Sequence, residues 1–193
     1  MNKVYAVTGG IGSGKSTVCK IIKEEGYPCY SADEIYKELL LNKDFVNKIY
    51  SALNILDDSG VFNKQLVSQK VFNNKELLEK LNSVTHPEII KELKRKSSLV
   101  NGICFNEVPL LFEGNYQDLY DGVIVVVRNT EKRIESLLKR DVISKEEILK
   151  RINSQFDYQK IQNSTHTVIT NDEDIKTLTQ KVKAVISGIK KQN

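Results

Sequence analysis

The segment at residues 9–17, near the start of the chain, restricts the possible folds more than any other stretch. It reads GGIGSGKST and satisfies the pattern G-x-x-x-x-G-K-[ST], with Gly9, Gly14, Lys15 and Ser16 at the fixed positions. Glycines allow the backbone to turn tightly and to approach a ligand closely. The exposed N–H groups of such a loop, together with the N-terminus of the next helix, cradle phosphate oxygens. The segment therefore predicts a phosphate-binding loop.

The sequence around this loop has the order of elements that the motif requires. Residues 3–8 form a short run rich in β-branched side chains, typical of a buried parallel strand, and apolar residues then recur at helical spacing up to Gly26. An ordinary glycine-rich turn would not need this context. The predicted phosphate-binding residues are Gly10, Ile11, Gly12, Ser13, Gly14, Lys15, Ser16 and Thr17. Lys15 would contact the β- and γ-phosphates of ATP, and the Ser16 hydroxyl would help to hold Mg²⁺.

Composition narrows the classes of partner. The chain has 193 residues, 40% of them hydrophobic, and a net charge of +4, which suits an anionic small molecule but is too weak to indicate nucleic acid. Its three cysteines form no C-x-x-C pair, and there is neither a signal peptide nor a long apolar run. We expect a reduced, cytoplasmic protein with no membrane or nucleic-acid partner, as a monomer or small homo-oligomer.

Further strands and helices follow in an α/β order. We predict strands at residues 27–30, 102–108, 122–127 and 167–170, and a closing helix at 173–190. Residues 43–99 are predicted to be mostly helical, with N-caps at Asn63 and Asn74 and a new helix beginning at Pro87. Two pairs with capping-box spacing, Ser31 with Glu34 and Ser144 with Glu147, predict two more helix starts.

These elements predict a three-layer α/β P-loop kinase fold with a parallel sheet. Within a single domain at residues 1–193, the core would comprise residues 1–31, 100–129 and 165–193. A helical insertion at 32–99 would bind the acceptor, and a helical lid would span 130–164 and help to exclude water. The lid is basic: its cations are Lys132, Arg133, Lys139, Arg140, Lys145, Lys150, Arg151 and Lys160. These could form only a solvated surface, or they could neutralise a transferring phosphate.

Three side chains outside the loop are candidates for chemistry, each with a plainer interpretation. Asp33 would lie in the first turn of a helix at the carboxyl end of a strand, where it could deprotonate an acceptor hydroxyl or merely favour the helix dipole. Glu107 ends a predicted strand and could be directed to Mg²⁺ or lie on the surface. His86 stands at a predicted helix junction, where a lone histidine is usually structural.

Taken together, these motifs resemble the dephospho-CoA kinase family across nearly the whole chain. The matching segments are TGGIGSGKST at residues 8–17, Ala32-Asp33, His86-Pro87, VPLLFE at 108–113 and Arg140-Asp141. The C-terminal part adds Arg151, Gln155, Lys160, Val168-Ile169 and Asn171. The P-loop is shared with many enzymes, whereas VPLLFE and His-Pro at these distances are more specific.

The resemblance implies transfer of the ATP γ-phosphoryl group to the ribose 3′-hydroxyl of dephospho-CoA, with Mg²⁺. It implies that Asp33 is the catalytic base and that Arg140 is the lid arginine near the ATP phosphates. It also implies that Asn171 lies near the adenine. The acceptor pocket implied by the resemblance includes Thr8, Asp33, His86, Leu111 and Glu113.

The chain departs from the family pattern at three places. Ser31 stands where the family usually has a first aspartate, which leaves Asp33 as the only carboxylate of that motif. Glu107 replaces an aspartate, which keeps the charge near the predicted Mg²⁺ site. Thr165-His166 replaces an Ala-Asp pair at the adenosine site.

Two other functions are compatible with a P-loop. One is a small-molecule kinase with a different acceptor, such as a nucleoside, a nucleotide or a sugar acid. The other is a GTPase-type switch, which needs a guanine-selecting N-K-x-D. The nearest string, Asn42-Lys43-Asp44, has the wrong spacing and lies in the predicted helical insertion.

Overall fold

In the computed structural model, five strands form one sheet. The structure describes residues 2–57, 59, 61–72, 74–141, 143–158, 161 and 166–191. The strands are β1 (Lys3–Thr8), β2 (Cys29–Ser31), β3 (Ile103–Glu107), β4 (Gly122–Val127) and β5 (Thr167–Thr170). They are ordered β2-β3-β1-β4-β5, and the pairings β1–β3, β1–β4 and β4–β5 are parallel. The predicted α/β class with a parallel sheet is confirmed.

Eight α-helices connect and flank these strands in the described residues. They are α1 (Lys15–Glu24), α2 (Ala32–Leu39), α3 (Lys43–Ala52), α4 (Lys64–Val71), α5 (Lys75–Ser98), α6 (Thr130–Arg140), α7 (Lys145–Asn153) and α8 (Ile175–Lys191). A short 3₁₀ helix covers Gln117–Leu119. No helix among the described residues is long and apolar enough to cross a membrane.

The chain divides into two compact units. The first combines Met1–Cys29 with Val100–Asn193, and the second is Tyr30–Leu99. In the first unit, α1 and α8 pack on the sheet around a buried apolar cluster that includes Val7, Phe105 and Ile124. The alternation of buried strands with amphipathic helices produces this core, because each helix can bury its apolar stripe on the sheet. The sheet thereby holds the carboxyl end of β1, from which the glycine loop emerges.

The second unit consists of helices packed around α5. Its core contains Phe45, Val46, Ile49 and Leu53, which recur at helical spacing in α3 and just after it. The prediction that a new helix begins at Pro87 is wrong, because Pro87 lies inside α5. Proline removes one helical hydrogen bond, but α5 buries Thr85 before the proline and Ile90 and Leu93 after it. We attribute the continuous helix to this packing on both sides.

The predicted helix ends are mostly confirmed. Gly26 ends α1 in a left-handed conformation (φ 85°), with Gly26 N–H donating to Lys23 O and Tyr27 N–H to Ile22 O. Asn63, Asn74 and Ser144 accept capping hydrogen bonds at the starts of α4, α5 and α7. Ser31 precedes α2 as predicted, yet its side chain makes no capping hydrogen bond. Lys160 and Thr165, named above for the lid and the adenosine site, lie outside the described residues.

Candidate active site

The glycine loop connects β1 to α1 at the carboxyl edge of the sheet. Gly14 precedes α1 with φ 95°, and a Cβ atom at this position would lie 2.2 Å from Asn171 Nδ2. Glycine is therefore required here both by the positive φ and by the close approach of a neighbouring side chain. The first turn of α1 contains no acidic residue. The N-terminus of α1 can therefore attract an anion.

Lys15 and Ser16 lie at the start of α1, as the motif predicts. Lys15 Nζ donates to Gly9 O at 2.8 Å and to Gly10 O at 3.2 Å, so the ammonium group lies over the loop. Ser16 is exposed, and its hydroxyl can reach a metal ion carried by phosphates. The residues present therefore fit the pair of roles expected for them, a phosphate-binding cation and a hydroxyl ligand to Mg²⁺.

Asn171 is a structural support of the loop. It follows β5 and is 9% exposed, and its Nδ2 donates to Ser13 O at 2.8 Å. Its own N–H donates to Val127 O at 2.9 Å, which ties it to the end of β4. This buried amide therefore joins β4, β5 and the loop. The position near the adenine that the resemblance implies for Asn171 stays a prediction.

Tyr158 connects two of the residues proposed for the acceptor pocket. Its hydroxyl lies 3.4 Å from Thr8 Oγ1, 3.0 Å from Pro109 O and 3.3 Å from Glu113 Oε2. Burial raises the pKa of Tyr158, so the hydroxyl keeps its proton and can donate. Glu113 Oε1 also accepts from Phe156 N–H at 3.0 Å. The segment at 109–113 is thus held to the segment at 156–158, which the sequence analysis did not predict.

Aromatic rings surround this connection. Phe112 stacks on Phe156 with ring centroids 5.0 Å apart, and it also contacts His166 at 5.4 Å. Such faces are suited to stacking with a planar group. Leu111 is fully buried and its carbonyl accepts from Tyr116 N–H, so its side chain belongs to the core. A role of Leu111 in acceptor binding stays a prediction.

The two candidates in the second unit differ in exposure. Asp33 lies in the first turn of α2 with an exposed side chain, where the helix N-terminus favours a carboxylate. Both interpretations of Asp33, as a base and as a helix-stabilising acid, are compatible with that position. His86 lies within α5 and is half-buried, and desolvation lowers its pKa. Burial therefore favours the neutral form of His86.

Two arginines of the predicted lid have different surroundings. Arg140, at the end of α6, is exposed, and its Nε and Nη2 donate to the two carboxylate oxygens of Asp141 at 2.8 and 2.7 Å. Arg133, about two turns earlier in α6, is buried, and its Nε donates to Ile11 O at 2.8 Å. Gln155 Oε1 accepts from Ile11 N–H at 2.7 Å. The backbone of Ile11 is therefore bonded on both sides by side chains of the 130–164 segment.

Glu107 ends β3 beside Val7 of β1 and is half-buried. Its predicted role toward Mg²⁺ stays a prediction. Among the residues that the structure describes, no group of three or more His, Cys, Asp or Glu side chains could hold a metal ion. Cys19, Cys29 and Cys104 are buried free thiols.

Comparison with known proteins agrees with the motifs. The model of the family "Dephospho-CoA kinase" matches residues 3–177. The dephospho-CoA kinase of Fusobacterium nucleatum subsp. nucleatum is 36% identical over 184 residues, which cover 93% of this chain and 94% of that protein.

Two solved structures are similar over all or nearly all of their length. The dephospho-CoA kinase from Campylobacter jejuni is 31% identical with a TM-score of 0.73, and all of both chains is covered. The Thermus thermophilus protein TT1252 is 28% identical with a TM-score of 0.82, covering 97% of each chain.

Proposed function

The chain belongs to the dephospho-CoA kinase family, and from this membership we propose that it transfers the γ-phosphoryl group of ATP to the ribose 3′-hydroxyl of dephospho-CoA. The product would be coenzyme A. The observation that carries the proposal is the family match over residues 3–177, which includes both the glycine loop and the VPLLFE segment. Neither segment alone would identify the acceptor.

The nucleotide would bind at the glycine loop. The N–H groups of residues 10–17 and the N-terminus of α1 would hold the phosphates, and Lys15 would leave the carbonyls of Gly9 and Gly10 to contact the β- and γ-phosphates. Ser16 would hold Mg²⁺, which when bound neutralises charge on the phosphates. Arg140 would add a positive charge from the lid, in exchange for its contact with Asp141.

The acceptor would be oriented by Thr8, Asp33, His86, Leu111 and Glu113. Asp33 would align the 3′-hydroxyl with the γ-phosphorus and accept its proton, because a loose transition state depends mainly on positioning and charge neutralisation. Its exposure on α2 supports this role, since the carboxylate is accessible to a ligand. We further propose that residues 130–164 act as a lid that excludes water, that residues 32–99 select the acceptor, and that the protein works in the cytoplasm.

The direct test measures ADP release from ATP and Mg²⁺ with dephospho-CoA, adenosine, AMP and shikimate as competing acceptors. The product would be identified by mass. We expect turnover with dephospho-CoA alone and a product heavier by one phosphoryl group. Turnover only with another acceptor would keep a P-loop kinase and reject the proposed substrate. Absence of turnover with every acceptor would contradict the proposed catalysis.

A GTPase-type switch is the alternative function. The string nearest to its N-K-x-D motif is Asn42-Lys43-Asp44, and the contacts of Asn42 argue against this function. Asn42 caps α3, and its Oδ1 accepts from the N–H groups of Asp44 and Phe45. This side chain is therefore used in starting a helix of the second unit, which explains the Asn-Lys-Asp string without guanine recognition.

A further inference from the structure

Arg133 is a buried cation in contact with the phosphate-binding loop. It lies on α6, is 8% exposed, and donates from Nε to Ile11 O at 2.8 Å. Its Nη2 also lies beside Gly10, since a Cβ atom at Gly10 would be 2.5 Å from it. The fork of the guanidinium is thus held against the first residues of the loop, and no side chain at Gly10 separates the two.

Arg133 forms no ion pair with a carboxylate among the described residues. Desolvation lowers the pKa of Arg133, and Tyr158 partly opposes this shift. A buried charge without a counter-ion is costly, so proteins that retain one usually supply an anion. An arginine keeps its proton in such a site, because its pKa remains far above neutral pH. A bound anion would supply the opposite charge that this site lacks.

The surroundings of Arg133 indicate which anion this is. Arg133 contacts Gly10 and Ile11 of the loop. Tyr158, whose hydroxyl contacts Thr8 and Glu113, is close enough to act electrostatically on Arg133. Arg133 thus lies near both the loop proposed to hold ATP and two of the residues proposed to hold the acceptor. Phosphate oxygens accept hydrogen bonds from a guanidinium fork in a bidentate geometry.

We propose that Arg133 contacts the terminal phosphates of ATP and is a second phosphate-binding cation beside Lys15. The inference rests on the proposed function and deepens it. During transfer the bond from the γ-phosphorus to the β,γ-bridging oxygen breaks, the bond to the 3′-oxygen forms, and the hydroxyl proton passes to Asp33. Arg133 neither gains nor loses a proton. It donates hydrogen bonds to the oxygens on which negative charge is located.

The test compares nucleotide binding, without acceptor, in three variants. Arg133→Met keeps most of the packed stem but removes the charge, and Arg133→Lys restores a charge without the fork. Lys139→Met removes an exposed charge from the same helix and controls for net charge. Affinities for ATP and AMP would be measured by calorimetry in the same buffer. We expect Arg133→Met to weaken the affinity for ATP by about 10- to 100-fold. The affinity for AMP should change by less than about threefold.

The other variants separate a charge effect from a structural one. Arg133→Lys should recover part of the ATP affinity, and Lys139→Met should bind ATP within about twofold of the unmodified protein. Equal losses of ATP and AMP affinity in Arg133→Met, or no loss at all, would overturn the proposal. Gln155→Leu removes the other side-chain hydrogen bond to Ile11 without changing the charge. A selective loss of ATP affinity in Gln155→Leu would therefore also overturn the proposal.

This experiment is independent of the acceptor. If the protein failed to phosphorylate dephospho-CoA while Arg133→Met still lost ATP affinity selectively, the proposed substrate would be rejected and the role of Arg133 would stand. If dephospho-CoA were phosphorylated normally by Arg133→Met at low ATP, the proposed function would stand and the role of Arg133 would be rejected.

Discussion

At the scale of single residues, Asp33 offers the sharpest test of the proposed chemistry. Asp33→Asn removes the base and keeps the shape of the side chain, so we expect kcat to fall by about 10²–10⁴-fold with ATP affinity unchanged. The exposed position of Asp33 on α2 means that the substitution should leave the fold intact. Steady-state kinetics with dephospho-CoA and calorimetry with ATP measure the two effects.

Glu34→Gln is the matched control, because Glu34 lies in the same first turn of α2 and is also exposed. If Asp33 acted only on the helix dipole, both substitutions would have similar small effects on stability and none on kcat. Full activity in Asp33→Asn would remove the base assignment.

His86 predicts a dependence of stability on pH. Its pKa is lowered from 6.5 by desolvation, so between the folded and the unfolded pKa the unfolded state binds more protons. Stability should therefore decrease as pH falls below about 6.5 until it passes the folded pKa, and this contribution should be fully present above about 6.5. Urea unfolding at about pH 7.5 and about pH 5.5 would measure it.

His86→Gln should reduce the difference in unfolding free energy between those two pH values, because glutamine does not titrate. An unchanged difference in His86→Gln would show that other groups cause the pH dependence.

The roles of residues at fixed spacing in a motif could be predicted from the sequence. Contacts between segments that are distant along the chain could not. Lys15 and Ser16 were identified because the motif defines their positions relative to Gly14. Arg133 was one of eight cations in the predicted lid, and nothing in its local sequence separates it from Arg140. Its burial and its bond to Ile11 depend on how α6 packs beside the loop, which is a long-range property.

At the scale of structural elements, Tyr158 joins the segment after β3 to the segment after α7. Tyr158→Phe removes the hydroxyl that contacts Thr8, Pro109 and Glu113, and it leaves the polar atoms of these residues with one partner fewer. Because Thr8 is buried, we expect a loss of about 1–3 kcal/mol in unfolding free energy, and a higher KM for dephospho-CoA. Urea denaturation and steady-state kinetics would measure these effects.

Tyr116→Phe is a suitable control, since the Tyr116 hydroxyl makes no hydrogen bond within the described residues. It removes the same atom from a half-buried tyrosine of the first unit. A loss of stability in Tyr158→Phe no larger than that in Tyr116→Phe would mean that the connection contributes little.

Local sequence signals predicted most strands and helices, because the local preference of each segment agrees with its packing in the fold. The β-branched run at residues 122–127 became β4 with the predicted bounds, and Gly26 ended α1. Prediction failed at Pro87, where packing on both sides of α5 outweighs the usual preference of proline for a helix start. It failed also at Ser31, whose side chain makes no capping bond. In both cases a local preference was overridden by contacts that the sequence does not display.

At the scale of the whole molecule, the residues proposed to bind ATP all belong to the first unit, whereas Asp33 and His86 belong to the second. Each unit has its own apolar core, one around Val7 and Ile124 and the other around Val46 and Ile49. A ligand stabilises the part of a protein to which it binds, by an amount set by its concentration relative to Kd. ATP alone should therefore act mainly on the first unit.

Hydrogen exchange would measure this distribution, because it reports on each element separately. With ATP and Mg²⁺ at about 100 times Kd, we expect the slowest amides of β1 and β4 to exchange up to about 100-fold more slowly, while those of α3 change by less than about threefold. Addition of dephospho-CoA should then slow exchange in α3 as well, because its proposed contacts include Asp33 and His86. In Lys15→Ala the effect of ATP should be largely lost, since that variant lacks the main phosphate-binding cation. Equal protection of β1 and α3 by ATP alone would instead show that the two units open together, and the acceptor would then have no separate role in stabilising the second.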